Sequence, residues 1–113
     1  MTDLLTAYPK VDAVFATCDP TAIGCDLAAK QAQRKDFFMT SVDGAPEATV
    51  ALKDPTSLLT ATAAQDPFAM AAKAVEVGYG IINDKKPSTS TVLIPVQLVT
   101  RDNLDEYKGW TSN

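Results

Sequence analysis

The sequence predicts an α/β fold in which a partial parallel sheet is flanked by helices, and three observations carry that prediction. Short apolar runs alternate with stretches at helical spacing, the order that builds βαβ units. Asp-Pro pairs at Asp19-Pro20 and Asp66-Pro67 stand just behind two of the apolar runs, where Asp suits a helix N-cap and Pro the first helical position. Finally, 113 residues of 46% hydrophobic and 21% charged composition suit one small domain with a modest core.

Taken in order, residues 2–8 (TDLLTAY) read as the tail of a helix stopped by Pro9. Residues 11–16 (VDAVFA) are short, mostly apolar and rich in branched and aromatic side chains, and read as a buried strand. A helix capped by Asp19 runs through Ile23 and Leu27 to about Gln33. Residues 37–42 (FFMTSV) form the second strand, ending at Asp43-Gly44, and Pro46 opens a short helix to Lys53. Residues 57–64 (SLLTATAA) form the third strand.

Asp66-Pro67 opens the longest helix, in which Phe68, Ala72, Val75, Tyr79 and Ile82 share one face, and residues 83–87 (NDKKP) end it. Residues 92–96 and 97–100 read as extended, with Pro95 keeping the first of them from being a central strand. Asp102 caps a last short turn within a tail over 101–113, and Tyr107 and Trp110 anchor that tail to the body. Phe15 and Phe37 are expected in the core, and so is Phe68, for which lining a pocket at the start of its helix is the alternative.

Several function classes fall away. Ten Lys and Arg against 14 Asp and Glu leave a net charge of −4, the wrong sign for a phosphate-backbone binder, so no nucleic-acid partner is expected. Histidine is absent, which removes Ser-His and Cys-His hydrolases and the commonest metal ligand. Cys18 and Cys25 lie seven apart; along a helix that is roughly 10 Å, beyond the about 7 Å a disulfide spans. Two thiols alone also fall short of a zinc ligand set. There is no dinucleotide or P-loop glycine pattern, no apolar run of membrane-span length, and residues 1–5 lack the pattern of a signal peptide. The acid and base candidates are unpaired carboxylates. Binding without catalysis, metal or cofactor is the simplest reading.

In parallel sheets, ligands bind just beyond the carboxyl ends of the strands. That rule selects Thr17-Cys18-Asp19, Asp43-Gly44 and Ala64-Gln65-Asp66, which are expected to converge on one edge. Asp43 is placed to accept hydrogen bonds from vicinal hydroxyls of a sugar or polyol, and Gly44 lets the chain turn close to a ligand. The competing role for Asp43 is as cap of the helix at Pro46. Gln65 can donate and accept to one hydroxyl, or is a surface amide. Cys18 is open between a small buried side chain, a weak donor to ligand and a reactive thiol.

The segments VDAVFATCDPTAIGCDLAA, SVDGAPEA and TATAAQDPFAMAAKAVEVGYGIIN, in this order and spacing, resemble the C-terminal lobe of periplasmic sugar-binding proteins, the type I, ribose-binding-like receptors of ABC importers. The resemblance implies a flavodoxin-like lobe that closes with a second lobe around a monosaccharide or polyol, a membrane permease as partner, and a periplasmic full-length protein. A true start at Met1 would instead make the chain cytoplasmic. It also implies ligand contacts at Cys18, Asp43 and Gln65, with Cys18 where the family commonly has Asn. Residues 1–113 are then expected to be an incomplete C-terminal lobe, lacking the N-terminal lobe and the first two strands of its own sheet. That would leave the strand at 11–16 as a bare edge prone to self-association, and would make the isolated chain a weak sugar binder or none. The inducer-binding domains of LacI-like regulators, and a truncated non-binding fragment, are the alternatives. The coding sequence upstream distinguishes them.

Overall fold

The structure, a computed structural model, describes residues 1–110; the final residues of the expected tail, 111–113, lie outside the described residues. The described elements run α1 (Thr2–Ala7), β1 (Ala13–Phe15), α2 (Asp19–Gln31), β2 (Phe38–Asp43), α3 (Pro46–Lys53), β3 (Leu59–Ala64), α4 (Pro67–Ile82), β4 (Gln97–Thr100), and a closing 3-10 turn at Leu104–Glu106. The strands form one sheet in the order β1-β2-β3-β4.

β1, β2 and β3 are parallel, as the alternating pattern requires, because α2 and α3 each carry the chain back to the start of the next strand. β4 departs from that expectation. It pairs antiparallel with β3, Ala64 facing Gln97 and Ala61 facing Thr100. The chain that leaves the sheet at Ala64 therefore returns at the same end, so α4 is not a crossover helix. Residues 92–96, expected to be extended, form no strand.

The core lies on one face of the sheet. Met39, Leu59 and Val99 from the strands meet Ala22 and Ala29 of α2 and Ala48 and Leu52 of α3, all of them buried. The alanines let both helices approach the sheet closely, and each buried methylene contributes about 0.8 kcal/mol. Phe37 is buried as expected. Asp26, on the inner side of α2, is satisfied by the backbone N–H of Leu58, which donates to Oδ1 at 2.8 Å, and by Lys30 at 3.1 Å. Arg101 closes the lower edge: its Nε donates to the Leu52 carbonyl at 3.0 Å and its Nη2 to those of Ser57 and Leu59 at 2.8 and 3.0 Å.

Among the described residues the helices that flank the sheet, as expected, pack on one of its faces, and on the opposite face two expectations fail. Residues 11–16 are not a buried strand, since β1 forms the sheet edge and Phe15 is 65% exposed. The shared face of α4 covers nothing either, with Phe68, Val75, Tyr79 and Ile82 all exposed and no residue of the helix buried. The physical reason is common to both: a helix that does not cross back over the sheet cannot cover it. The consequence is an elongated body, 57 × 32 × 16 Å with a radius of gyration of 17.8 Å, against about 13 Å for a compact domain near this size.

Candidate ligand-binding site

The polar ends of β1, β2 and β3 meet at Asp43. Its Oδ2 accepts the backbone N–H of Asp19, the first residue of α2, at 3.2 Å. Its Oδ1 accepts the Gln65 side-chain amide at 3.1 Å, and its carbonyl accepts the Gln65 backbone N–H at 2.9 Å. The convergence expected from the strand ends is therefore built from direct bonds. Asp43 does not cap the helix at Pro46, where Ala45 is the N-cap and makes no side-chain capping bond; its carboxylate serves α2 instead. Gln65 is a partner of Asp43 and not a loose surface amide.

Asp43 occupies this place at a cost. Its φ is +128°, a region that side chains rarely adopt and that costs of order 1–3 kcal/mol. Gly44 follows with φ +74°. A Cβ on Gly44 would overlap the Ala64 Cβ and sit 2.5 Å from the Tyr107 hydroxyl, so only glycine lets β3 and the tail close on this turn. The turn is held from three sides. The Gly44 N–H donates to Thr62 Oγ1 at 3.2 Å, the Tyr107 hydroxyl donates to the Gly44 carbonyl at 2.7 Å, and the Trp110 indole N–H donates to the Asp43 carbonyl at 2.9 Å. Burial, then the charges of Asp19 and Asp66, push the Tyr107 hydroxyl above its ordinary pKa, so it remains a neutral donor. The anchoring expected of Tyr107 and Trp110 is present, and it is made to the site itself.

Beneath Asp43 lies Asp19, the residue that sequence reasoning misplaced. Cys18, not Asp19, is the N-cap of α2. Asp19 is fully buried, and its carboxylate accepts from Ser41 Oγ at 2.5 Å, Thr62 Oγ1 at 2.8 Å and the Ala45 N–H at 2.7 Å. It ties α2, β2, β3 and the turn into α3 to one point. Nothing in an Asp-Pro pair separates this role from a cap. At Asp66 the same pair does cap, accepting the Ala69 N–H at 2.8 Å.

Cys18 is half-buried, with a free thiol. Its Sγ lies 3.0 Å from Oγ1 of Thr21 on its own helix, one residue before Asp19, whose N–H donates to Asp43. Among the described residues no three His, Cys, Asp or Glu side chains group as metal ligands. Each Asp43 carboxylate oxygen holds one donor from the protein and has a lone pair for another, which is the arrangement that accepts two neighbouring hydroxyls. Beyond Gln65, a cavity of about 490 Å³ opens between the end of β3, residues 95–97 and the tail, walled by Phe68, Val96, Tyr107 and Trp110. Phe68, expected in the core, is 69% exposed on that wall. Asp102, expected to cap the last turn, does not; Asn103 stands there, accepting the Thr100 N–H at 2.7 Å and donating to the Leu98 carbonyl at 2.8 Å.

A family model described as periplasmic binding protein domain matches residues 1–86. The chain belongs to that family. Among curated proteins it is similar to a ribose import binding protein of Salmonella typhimurium, 41% identical over 86 residues, which are 76% of this chain and 28% of that protein. Among solved structures it superposes on an ABC transporter solute-binding protein from Mycobacterium smegmatis with bound glycerol, at TM-score 0.83 and 28% identity, covering 97% of this chain and 38% of the other. A solute-binding protein from Agrobacterium vitis with bound allitol gives TM-score 0.80 and 25% identity, over 93% and 37%. The fold is thus that of type I periplasmic binding proteins, and the chain spans little more than a third of the length of these relatives at most.

Proposed function

We propose that this chain contributes one wall of a sugar-binding cleft, in the solute-binding component of an ABC importer. The observation that carries the reading is the Asp43 network: a carboxylate held in a strained backbone, oriented by Asp19 and Gln65, at the carboxyl end of a parallel sheet. Strain of this kind is retained where a side chain must be aimed, and relatives named or crystallised as sugar and polyol binders support hydroxyls as the target. In this reading Asp43 accepts two ligand hydroxyls. Gln65 accepts or donates to a third, and Cys18 borders them with a thiol, a weaker partner than an amide. The ligand is a monosaccharide or polyol, the site binds without catalysis, and the full-length protein delivers its cargo to a membrane permease from the periplasm.

With a single wall present, binding to the 113-residue chain is weak, in the millimolar range or beyond. A chemical-shift titration of the isotope-labelled chain with D-ribose reads affinities of that order. Shifts at the Gly44 amide and the Gln65 side-chain amide, lost in Asp43→Asn, are expected. Silence towards pentoses and hexoses alike, with a response to a non-sugar solute, would remove the assignment.

A further inference from the structure

Among the described residues, two surfaces of this chain lack a cover, and both are uncharged. One is the stripe of α4 formed by Phe68, Val75, Tyr79 and Ile82, all exposed. No residue of that helix is buried, and its two charged side chains, Lys73 and Glu76, pair with each other at 2.8 Å off the stripe. Helices so apolar are ordinarily buried. The other surface is the face of the sheet turned away from α2 and α3. There the register sets Phe15 in one row with Thr40 and Ala61, and Val42 in the next with Ala63 and Leu98. Small side chains therefore run along the two central strands, while Phe15 on β1 and Leu98 on β4 stand exposed to either side. The result is a shallow apolar trough. Its floor is six residues of β2 and six of β3, about 20 Å long. α4 has 16 residues and is about 24 Å long.

We propose that two copies of this chain form a closed dimer, in which α4 of each lies in the trough over β2 and β3 of the other. The surface area points to a second copy. The molecule exposes 7803 Å², whereas a compact monomer of 12.0 kDa exposes about 6,000 Å². The excess, roughly 1,800 Å² per chain, is more than the about 800 Å² that one partner gives to a standard interface. A two-fold axis that seats one helix in the partner's trough seats the partner's helix in return, so one exchange covers both surfaces and closes. A different protein would have to bring both a trough and a helix. α4 already stands clear of its own sheet, and residues 83–93 behind it are exposed throughout, so the exchange needs no element to unfold. The contact uses the face of the sheet and leaves the outer edge of β1 open, where edge pairing adds further mass at higher concentration. It is independent of the sugar-binding reading.

Light scattering on the 113-residue chain, with two variants at exposed positions, makes the test. At micromolar concentration the unaltered chain is expected to level off at the mass of two copies. Val75→Glu puts a charge on the helix stripe, and Leu98→Lys puts one on the wall of the trough. Each alone spoils both contacts of its own dimer and is expected to weaken dimerisation roughly a hundredfold or more. An equal mixture of the two variants is expected to recover a dimer, because the unaltered helix of the Leu98→Lys chain fits the unaltered trough of the Val75→Glu chain. A second measurement needs no variant. In a mixture of isotope-labelled and unlabelled chains, nuclear Overhauser effects are expected between α4 of one copy and Phe15 or Leu98 of the other. A monomeric unaltered chain overturns the proposal, since the trough is then open or covered by its own helix. A dimer that survives Val75→Glu overturns it, because another surface must hold that dimer together. A mixture of variants that stays monomeric, or a dimer without the effects between copies, overturns it as well, because helix and trough then do not meet.

Discussion

Asp43 shows how a single residue can be costly for the fold and useful for the site. Its φ of +128° is comfortable for glycine, so the two contributions of this position can be separated by substitution. Asp43→Ala keeps the strain and removes the acceptor of the Asp19 and Gln65 bonds; it is expected to lower stability in urea unfolding by about 1–2 kcal/mol. Asp43→Gly removes the same bonds but relieves the backbone, and is expected to be more stable than Asp43→Ala by about 1 kcal/mol. Equal midpoints for the two variants would show that the backbone here is unstrained. A second residue, Asp54, contributes a pH dependence of its own. The Thr56 hydroxyl and backbone N–H, both bonded to Asp54 Oδ1, and then Lys30, lower its pKa from 3.8 to about 2. A carboxylate depressed on folding adds stability that is present above its ordinary pKa and lost as pH falls through the folded value. Asp54 is therefore expected to titrate near pH 2 by carboxyl chemical shift, and Thr56→Ala to raise that midpoint towards 3.8. A midpoint unmoved by the substitution would assign the shift elsewhere.

At the scale of elements, the sheet and its inner helices obey local rules, and those rules are readable. α3 begins at Pro46 and ends at Lys53 as the sequence predicts, because proline fits the first turn and small residues dominate its inner face. β2 and β3 follow their apolar runs to within two residues. What the pattern could not convey is which surface an apolar stripe meets. Phe68, Val75 and Tyr79 of α4 repeat at core spacing and are exposed, since periodicity reports a face and not its partner. Phe15 fails for the same reason. The site divides similarly: Asp43 and Gln65 were legible from their place after strands, whereas Asp19 resembled a cap and proved to be the buried junction of four segments. Its weight is measurable. Asp19→Ala leaves the Ser41 and Thr62 hydroxyls and the Ala45 N–H without their acceptor, and is expected to cost about 3 kcal/mol or more. Asp66→Ala, which removes an exposed cap bond, is expected to cost about 1 kcal/mol. Similar unfolding midpoints for the two would show that Asp19 contributes no more than a helix cap.

The whole molecule is decided by the surfaces it leaves open. Among the described residues the outer edge of β1 has no neighbouring strand, and the bare face beside it carries Phe15, Phe38 and Leu98, each at least half exposed. Monomeric soluble proteins rarely tolerate an apolar face next to an unpaired strand edge without a charge, a proline or a cover. Here the nearest charges, Lys10 and Asp12, are paired with each other at 3.5 Å and lie before the strand rather than on it. The net charge of −4 spread over 113 residues provides only weak repulsion, screened beyond about 8 Å at physiological salt. We therefore expect the 113-residue chain to self-associate through β1, with a light-scattering mass that rises with protein concentration. Phe15→Lys places a charge on the exposed edge strand without touching a buried side chain, and is expected to return the mass towards that of a monomer. Val50→Lys makes the same charge change on α3, away from the edge, at a residue 69% exposed, and is expected to leave association intact. A monomer at every concentration, or equal rescue by both lysines, would show that the edge does not drive assembly. Rescue by Phe15→Lys alone would identify the open side of the sheet as the surface that the fold leaves to be covered.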